Sequence, residues 1–130
     1  MSETHRAIPG SVAVLRQKVA EFATRAGLPS STVERVKLAV SEAATNVVVH
    51  AYHDASEPGL IEVEADLAAG ELRVSITDTG PGLRPRPDSP GLGLGLAIIG
   101  QLADNFEILQ GDSGGMCVLM RFAAPAAGHS

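Results

Sequence analysis

The spacing of apolar residues changes once along this chain of 130 residues, and that change restricts the folds open to it. Residues 11–52 carry apolar side chains at helical intervals, whereas residues 60–77 alternate apolar and polar side chains as strands do. The dipeptide Ala69-Gly70 between the two alternating segments predicts a hairpin. Helices that precede a hairpin indicate a layer of helices packed on a sheet.

An edge strand and a helix are predicted at the start of the chain. The strand runs through about Ile8, and Pro9-Gly10 ends it. From Ser11 onward apolar side chains recur at helical spacing, and Gly27 supplies a C-terminal stop. The apolar positions of this helix are Val12, Leu15, Val19, Phe22 and Ala26.

A longer helix follows. Ser31-Thr32-Val33-Glu34 is typical of a capping box, and Pro29 stands just before it. The helix can run to about Tyr52. Its predicted buried stripe consists of Val33, Val36, Val40, Ala44 and Val47.

The second half of the chain completes the predicted fold. Its predicted elements are the hairpin strands Leu60–Leu67 and Leu72–Thr77, a helix over Gly95–Ala103, and two closing strands, Phe106–Leu109 and Met116–Phe122, around a Gly111–Gly115 turn. Four prolines exclude regular structure between Gly80 and Pro90. The order predicts an α/β two-layer sandwich, in which a mixed, mostly antiparallel sheet is covered on one face by about three helices. Residues 1–123 form one domain, and 124–130 are expected to be a disordered tail.

Composition excludes two classes of partner. The formal net charge is −5 and the chain has no run of Lys or Arg, so we expect no nucleic-acid partner. Glu3, His5 and Arg6 interrupt the N-terminal segment, so we expect no membrane partner and a cytoplasmic location. Cys117, the single cysteine, is expected to be a buried structural thiol.

The long helix carries a polar row formed by Glu42, Asn46 and His50, which are four residues apart and therefore share a face. The oxygen of an Asn amide can bind Mg²⁺, which takes one or two protein oxygens along with phosphate oxygens and waters. A carboxylate one turn earlier can accept a hydroxyl proton or orient a water. The alternative is a solvated polar face of the helix.

Two glycine-rich segments follow. Asp78 ends an apolar strand and can accept a hydrogen bond from the amino group of a base, while Gly80 and Gly82 let the backbone pass close to a planar ligand. The alternative is an Asp in a turn. Further along the chain, three glycines precede an apolar helix, where backbone N–H groups can bind phosphate. These glycines are Gly91, Gly93 and Gly95, and their alternative role is close packing of the helix on the sheet.

Together the three segments resemble the ATP-binding fold shared by DNA gyrase, heat-shock chaperones, histidine kinases and MutL-type repair proteins. Within that fold the chain looks most like the small anti-sigma factors that are also serine/threonine protein kinases. The similarity is closest over Ser41–Tyr52, the first of the three motifs, and it extends over nearly the whole chain.

The resemblance implies a role for each motif residue. Asn46 would ligate the Mg²⁺ that bridges the phosphates of ATP, and Glu42 would be the general base. Asp78 would receive the adenine amino group, with Gly80 and Gly82 shaping the pocket. The glycines that would border the phosphates are Gly91, Gly93 and Gly95.

The resemblance also implies partners. The phosphate acceptor would be a serine of a small anti-sigma-factor antagonist, and release of that antagonist would free the protein to hold a sigma factor inactive. A homodimer is implied by similarity alone. The chain departs from the sporulation-type kinases in its short lid, Leu83–Pro90, where Arg84 or Arg86 could supply a cation to the γ-phosphate.

Two other functions stay open at this point. The first is a non-catalytic module that senses nucleotide and binds a partner without transferring phosphate. The second is a detached ATP-binding domain of the histidine-kinase type, which would act on a histidine of another chain. We expect no phospho-accepting helix pair in this chain, because the predicted domain takes up residues 1–123.

Overall fold

The computed structural model describes residues 1–54, 59–78, 92–110 and 116–124. The elements, in chain order, are β1 (Ser2–Arg6), α1 (Pro9–Arg25), α2 (Ser30–Asp54), β2 (Leu60–Ala68), β3 (Glu71–Asp78), α3 (Leu92–Leu102), β4 (Asn105–Gln110) and β5 (Met116–Ala123). This order confirms the predicted α/β sandwich. Among the described helices, none is both long and apolar enough to cross a membrane.

The strands form one sheet in the order β1-β2-β3-β5-β4. Each pairing among the described strands is antiparallel, so the sheet is not mixed as the sequence predicted. The two predicted hairpins, β2–β3 and β4–β5, are neighbours in the sheet, and the pairing of β3 with β5 joins them.

The core lies between one face of the sheet and the helices. Strand residues on the covered face are buried, namely Ile61, Val63, Ala65, Leu72, Val74, Ile76, Val118, Met120 and Phe122. The predicted stripe of α2 is buried against them at all five positions. Along α1 the stripe was predicted less well, because Val12, Phe22 and Ala26 only border the core. Cys117 lies half-exposed in β5, not buried as predicted, because it alternates with the buried Met116 and Val118.

The N-terminal helix begins earlier than predicted. Pro9 opens α1 and does not end the strand, which stops at Arg6. A proline fits the first helical position because the N–H it lacks would have no partner inside the helix there. The hydroxyl of Ser11 donates to the Arg6 carbonyl at 2.6 Å, which fixes the turn between β1 and α1.

The start of α2 also differs from the prediction. The Val33 N–H donates to the carbonyl of Pro29 at 3.0 Å, so helical hydrogen bonding begins at Pro29. Ser31 therefore lies inside the first turn and does not cap the helix. Gly27 follows α1 with φ +92°, which confirms the predicted stop after that helix.

Several predictions lie outside the described residues. They concern the irregular segment with its short lid, the Gly111–Gly115 turn and the disordered tail, of which only Ala124 is described. Three of the predicted site residues, Gly80, Gly82 and Gly91, are outside as well, as are Arg84 and Arg86.

The hairpin turn between β2 and β3 gives a stability prediction. Ala69 and Gly70 have φ of 53° and 77°, the two-residue geometry that favours Asn-Gly. Because alanine is strained at positive φ, Ala69→Asn should raise the free energy of unfolding by up to about 1 kcal/mol. Gly70→Ala should lower it by about as much. Urea unfolding of both variants checks this, and equal midpoints for the two would contradict the turn geometry.

Candidate functional site

The polar row on α2 begins the site. Glu42 and Asn46 lie one turn apart and are half-buried, while Ala43 and Val47 beside them are buried in the core. Among the described contacts, neither the Glu42 carboxylate nor the Asn46 amide hydrogen-bonds to another residue. One side of α2 thus packs in the core while these two polar groups stay available to a ligand. The backbone of His50 continues the same helix, but its side chain lies outside the described part of the structure.

The Asp78 carboxylate belongs to the covered face of the sheet. Asp78 is the last residue of β3, pairs with Ile61 and is 6% exposed. Along β3 it follows Leu72, Val74 and Ile76 at two-residue intervals, and all four are buried. Since alternate residues of a strand share a face, Asp78 lies in the same row as these apolar residues, on the face of the sheet that the helices cover. Asp78 is therefore a buried carboxylate at the end of an apolar strand.

The helix that follows the glycine-rich segment is joined to α2 at its far end. The Arg35 guanidinium donates to the carbonyl of Leu102 at 3.1 Å and lies 3.8 Å from the Asp104 carboxylate. The Asp104 carboxylate also accepts from the Ala123 N–H at 2.7 Å. The end of α3 is therefore connected both to α2 and to β5.

The contact at the end of α3 also determines where its first turn lies along α2. The last residues of α3 lie near Arg35, and only five residues of α2 precede Arg35. Because α3 packs against α2, the earlier residues of α3 must lie beside the turns of α2 that follow Arg35. Gly95 is seven residues before Leu102, and Glu42 is seven residues after Arg35. Both helices rise about 1.5 Å per residue. The first turn of α3, which contains Gly93 and Gly95, therefore lies near the level of Glu42 and Asn46.

Sequence reasoning missed Arg35 and Asp104. Neither residue belongs to a motif, and the Arg35–Leu102 hydrogen bond joins residues 67 apart in the chain. Helical spacing places Arg35 a turn or two before Glu42, but nothing in the sequence indicates that it contacts the end of another helix. Their role is positional, because they hold α3 against the helix that carries the polar row.

The arrangement suits a nucleotide held partly by backbone. A helix start rich in glycine offers N–H groups to phosphate oxygens. The Asn46 amide can supply one oxygen to a phosphate-bound Mg²⁺. Among the described residues, no group of three or more His, Cys, Asp or Glu could hold a metal by itself. A cation here would take most of its ligands from phosphates and water.

Comparison with known proteins identifies the class. The family described as the histidine kinase-like ATPase domain matches residues 6–122. The crystal structure of the RsbU and RsbW domains of Rv1364c from Mycobacterium tuberculosis superposes with a TM-score of 0.74 at 26% identity. The match covers 95% of this chain and 31% of that one. The histidine kinase domain of the Erythrobacter litoralis EL346 blue-light activated histidine kinase gives a TM-score of 0.61 at 25% identity, over 87% of this chain and 61% of that one. The fold is that of the histidine kinase-like ATPases.

Sequence relatives narrow the class. The serine-protein kinase RsbW of Bacillus thuringiensis (strain Al Hakam) is 32% identical in an alignment of 124 residues, which covers 84% of this chain and 75% of the relative. The serine-protein kinase RsbW of Bacillus anthracis matches to the same extent. The chain belongs to the histidine kinase-like ATPase domain family and, within it, to the RsbW-type serine-protein kinases. Membership of this family assigns it to the ATP-dependent kinases.

The position of Asp78 generates a binding prediction. Asp78→Asn keeps the shape of the side chain but replaces one acceptor oxygen with a donor amide, so adenine recognition should be lost. Wild type with ATP at one hundred times its Kd should gain about 2.7 kcal/mol, a rise of several degrees in Tm. We expect Asp78→Asn to lose that rise in a thermal-shift measurement.

Glu62→Gln is the matched control. Glu62 lies in β2 beside Ile61 and pairs with Thr77, on the face of the sheet that the helices leave open. The same exchange of carboxylate for amide should leave the ATP-dependent rise intact there. A full rise in Asp78→Asn would contradict the adenine assignment.

Proposed function

We propose that this chain is an anti-sigma factor that phosphorylates a serine of a small antagonist protein, and that it does so with Mg²⁺-ATP bound between α2, α3 and the end of β3. The observation that carries the proposal is the pair of polar side chains Glu42 and Asn46, one turn apart on α2, which hydrogen-bond to no other residue that the structure describes. They lie on a domain of the RsbW type and near the level of the glycine-containing start of α3. Residues 1–123 act as one ATP-binding unit in the cytoplasm.

The proposed roles divide between recognition and positioning. Asp78 accepts a hydrogen bond from the adenine amino group, and Gly80 and Gly82 shape the pocket around the ring. The phosphates are assigned to Gly91, Gly93 and Gly95, because glycine has no side chain to keep a phosphate away from the backbone N–H groups. Asn46 contributes its amide oxygen to the Mg²⁺, which when bound neutralises charge on the phosphates.

Phosphoryl transfer then requires one base. The serine Oγ bonds to the γ-phosphorus while the bond from that phosphorus to the β–γ bridging oxygen breaks, and ADP leaves with the electron pair. The proton of the serine hydroxyl passes to the Glu42 carboxylate. Among the described residues, the half-buried Glu42 carboxylate forms no ion pair.

The product explains how such a transfer can act as a switch. Phosphoserine carries close to two negative charges, enough to disrupt a packed interface through repulsion and desolvation. The antagonist is released, and the kinase, acting as a homodimer, is free to hold a sigma factor inactive. The two partners thus compete for one ATP-loaded protein.

The metal assignment is tested at Asn46. Asn46→Ala should lose the part of the ATP-dependent rise in Tm that requires Mg²⁺, because the one protein oxygen assigned to the cation is gone. Thermal shifts with ATP and with ADP, each with and without Mg²⁺, measure it. Thr45→Ala, at the exposed neighbouring position, should keep the Mg²⁺-dependent rise. Equal rises in wild type and Asn46→Ala would remove Asn46 from the metal site.

The kinase step is tested at Glu42. Glu42→Gln should still bind ATP but should lose transfer to the antagonist by about 100-fold or more, since general-base catalysis contributes on that order. Incubation with γ-labelled ATP and an extract of the host cells, followed by mass spectrometry, identifies the acceptor. Glu62→Gln, on the open face of the sheet, is the control that should transfer normally.

The same assay separates the alternatives. Partner control that survives in Glu42→Gln would indicate a non-catalytic nucleotide-sensing module. A labelled acceptor whose phosphate is lost in acid would indicate a phosphohistidine and a detached domain of the histidine-kinase type. An acid-stable phosphoserine, formed by wild type and not by Glu42→Gln, is the expected result.

A further inference from the structure

Leu38 is an apolar side chain on the polar row of α2. It lies one turn before Glu42 and is 55% exposed, although the other large aliphatic residues in the first half of the helix are buried or belong to the core stripe. Single exposed leucines are common on protein surfaces. This one differs because Glu34, Glu42 and Asn46 complete its row at four-residue spacing, so it extends the candidate site along the helix.

The roles proposed for Asn46 and Glu42 indicate from which side the acceptor serine approaches the helix. Asn46 is assigned to the phosphate-bound cation, and Glu42 to the proton of the attacking hydroxyl. In an in-line transfer the attacking and leaving oxygens lie on opposite sides of the γ-phosphorus. The acceptor serine therefore approaches Glu42 from the side away from Asn46. Leu38 lies on that side.

The residues three and four positions from Leu38 on the helix are the polar Glu34, Arg35, Ser41 and Glu42, and several polar groups in this region are already engaged within the protein. The Lys37 ammonium lies 3.5 Å from the Glu34 carboxylate, and the Arg35 guanidinium is bound to Leu102 and Thr32. An apolar side chain inside a polar rim is the pattern found at the centre of protein–protein contacts, where water is excluded around one anchor.

We propose that Leu38 determines specificity for the acceptor protein by contacting an apolar side chain about two residues from the phosphorylated serine. This inference rests on the proposed kinase function. Residues four apart on a helix are separated by about 6 Å along its axis. Two residues of extended chain span about 6.6 Å and project to the same side. A serine at Glu42 therefore places the side chain two positions away against Leu38.

The test uses the acceptor protein identified by the γ-label assay. Leu38→Gln should lower kcat/KM for that protein about tenfold, mainly through a higher KM, because the apolar contact is lost while the helix is preserved. Leu38→Met should transfer like wild type. Val14→Gln is the matched control, since Val14 is a 42% exposed apolar residue on α1, away from the row, and its substitution should change nothing.

A double-mutant cycle pairs the two surfaces. With the wild-type kinase, replacing the apolar residue near the acceptor serine with Gln should lower kcat/KM about tenfold. With the Leu38→Gln kinase the same replacement should lower kcat/KM little further, because the two side chains share one contact. Additive losses, an unchanged KM in Leu38→Gln, or an acceptor with no apolar residue within about two positions of its serine would each overturn the inference. These results would leave the kinase function standing. If wild type labels no acceptor at all, the proposed function fails first, and the inference with it.

Discussion

Helix α2 contacts α1, α3 and the sheet strands β3 and β5, and the rest of the structure depends on how it packs. Along α2 the buried stripe packs against α1 and the sheet, while the adjoining row carries Glu42 and Asn46. The helical period keeps the two sets apart, since residues at four-residue intervals stay on one face. The burial that stabilises the domain therefore also orients the polar groups assigned to phosphate chemistry. A substitution in the stripe would disturb both.

The second helix of the site depends on a contact at its opposite end. Arg35 and Asp104 join the C-terminal end of α3 to α2 and β5, and the first turn of α3 is positioned as a consequence. This arrangement leaves the glycine-containing turn without charged side chains of its own. Its N–H groups can face an anion because the restraint on the helix is supplied ten residues away, at Leu102. The proposed anion site and the contacts that position α3 thus lie at opposite ends of the same helix.

Local pattern was enough to predict most elements of the fold, but it could not predict how they associate. Alternation of apolar and polar residues identified β2 and β3, because a two-residue period is typical of a half-buried strand. The pairing of β3 with β5 joins distant segments, and no period encodes it. Pro9 was misassigned because a proline that ends a strand and one that opens a helix look alike in sequence. For the site, the roles of Asn46 and Asp78 stay predictions from the motifs, whereas Arg35 acts through a contact that only the folded chain creates.

Asp78 is a buried carboxylate at the position where the apolar row of β3 ends. Along β3 the covered face carries Leu72, Val74 and Ile76, and the next position on that face is a carboxylate. A buried carboxylate is costly unless hydrogen-bond donors surround it. Asp78 engages a partner within the protein, and no buried side-chain oxygen or nitrogen in the described structure lacks one. An apolar residue there would stabilise the sheet more simply. In the proposed function the amino group of adenine adds one further donor to this carboxylate, whose two oxygens can accept more than one hydrogen bond.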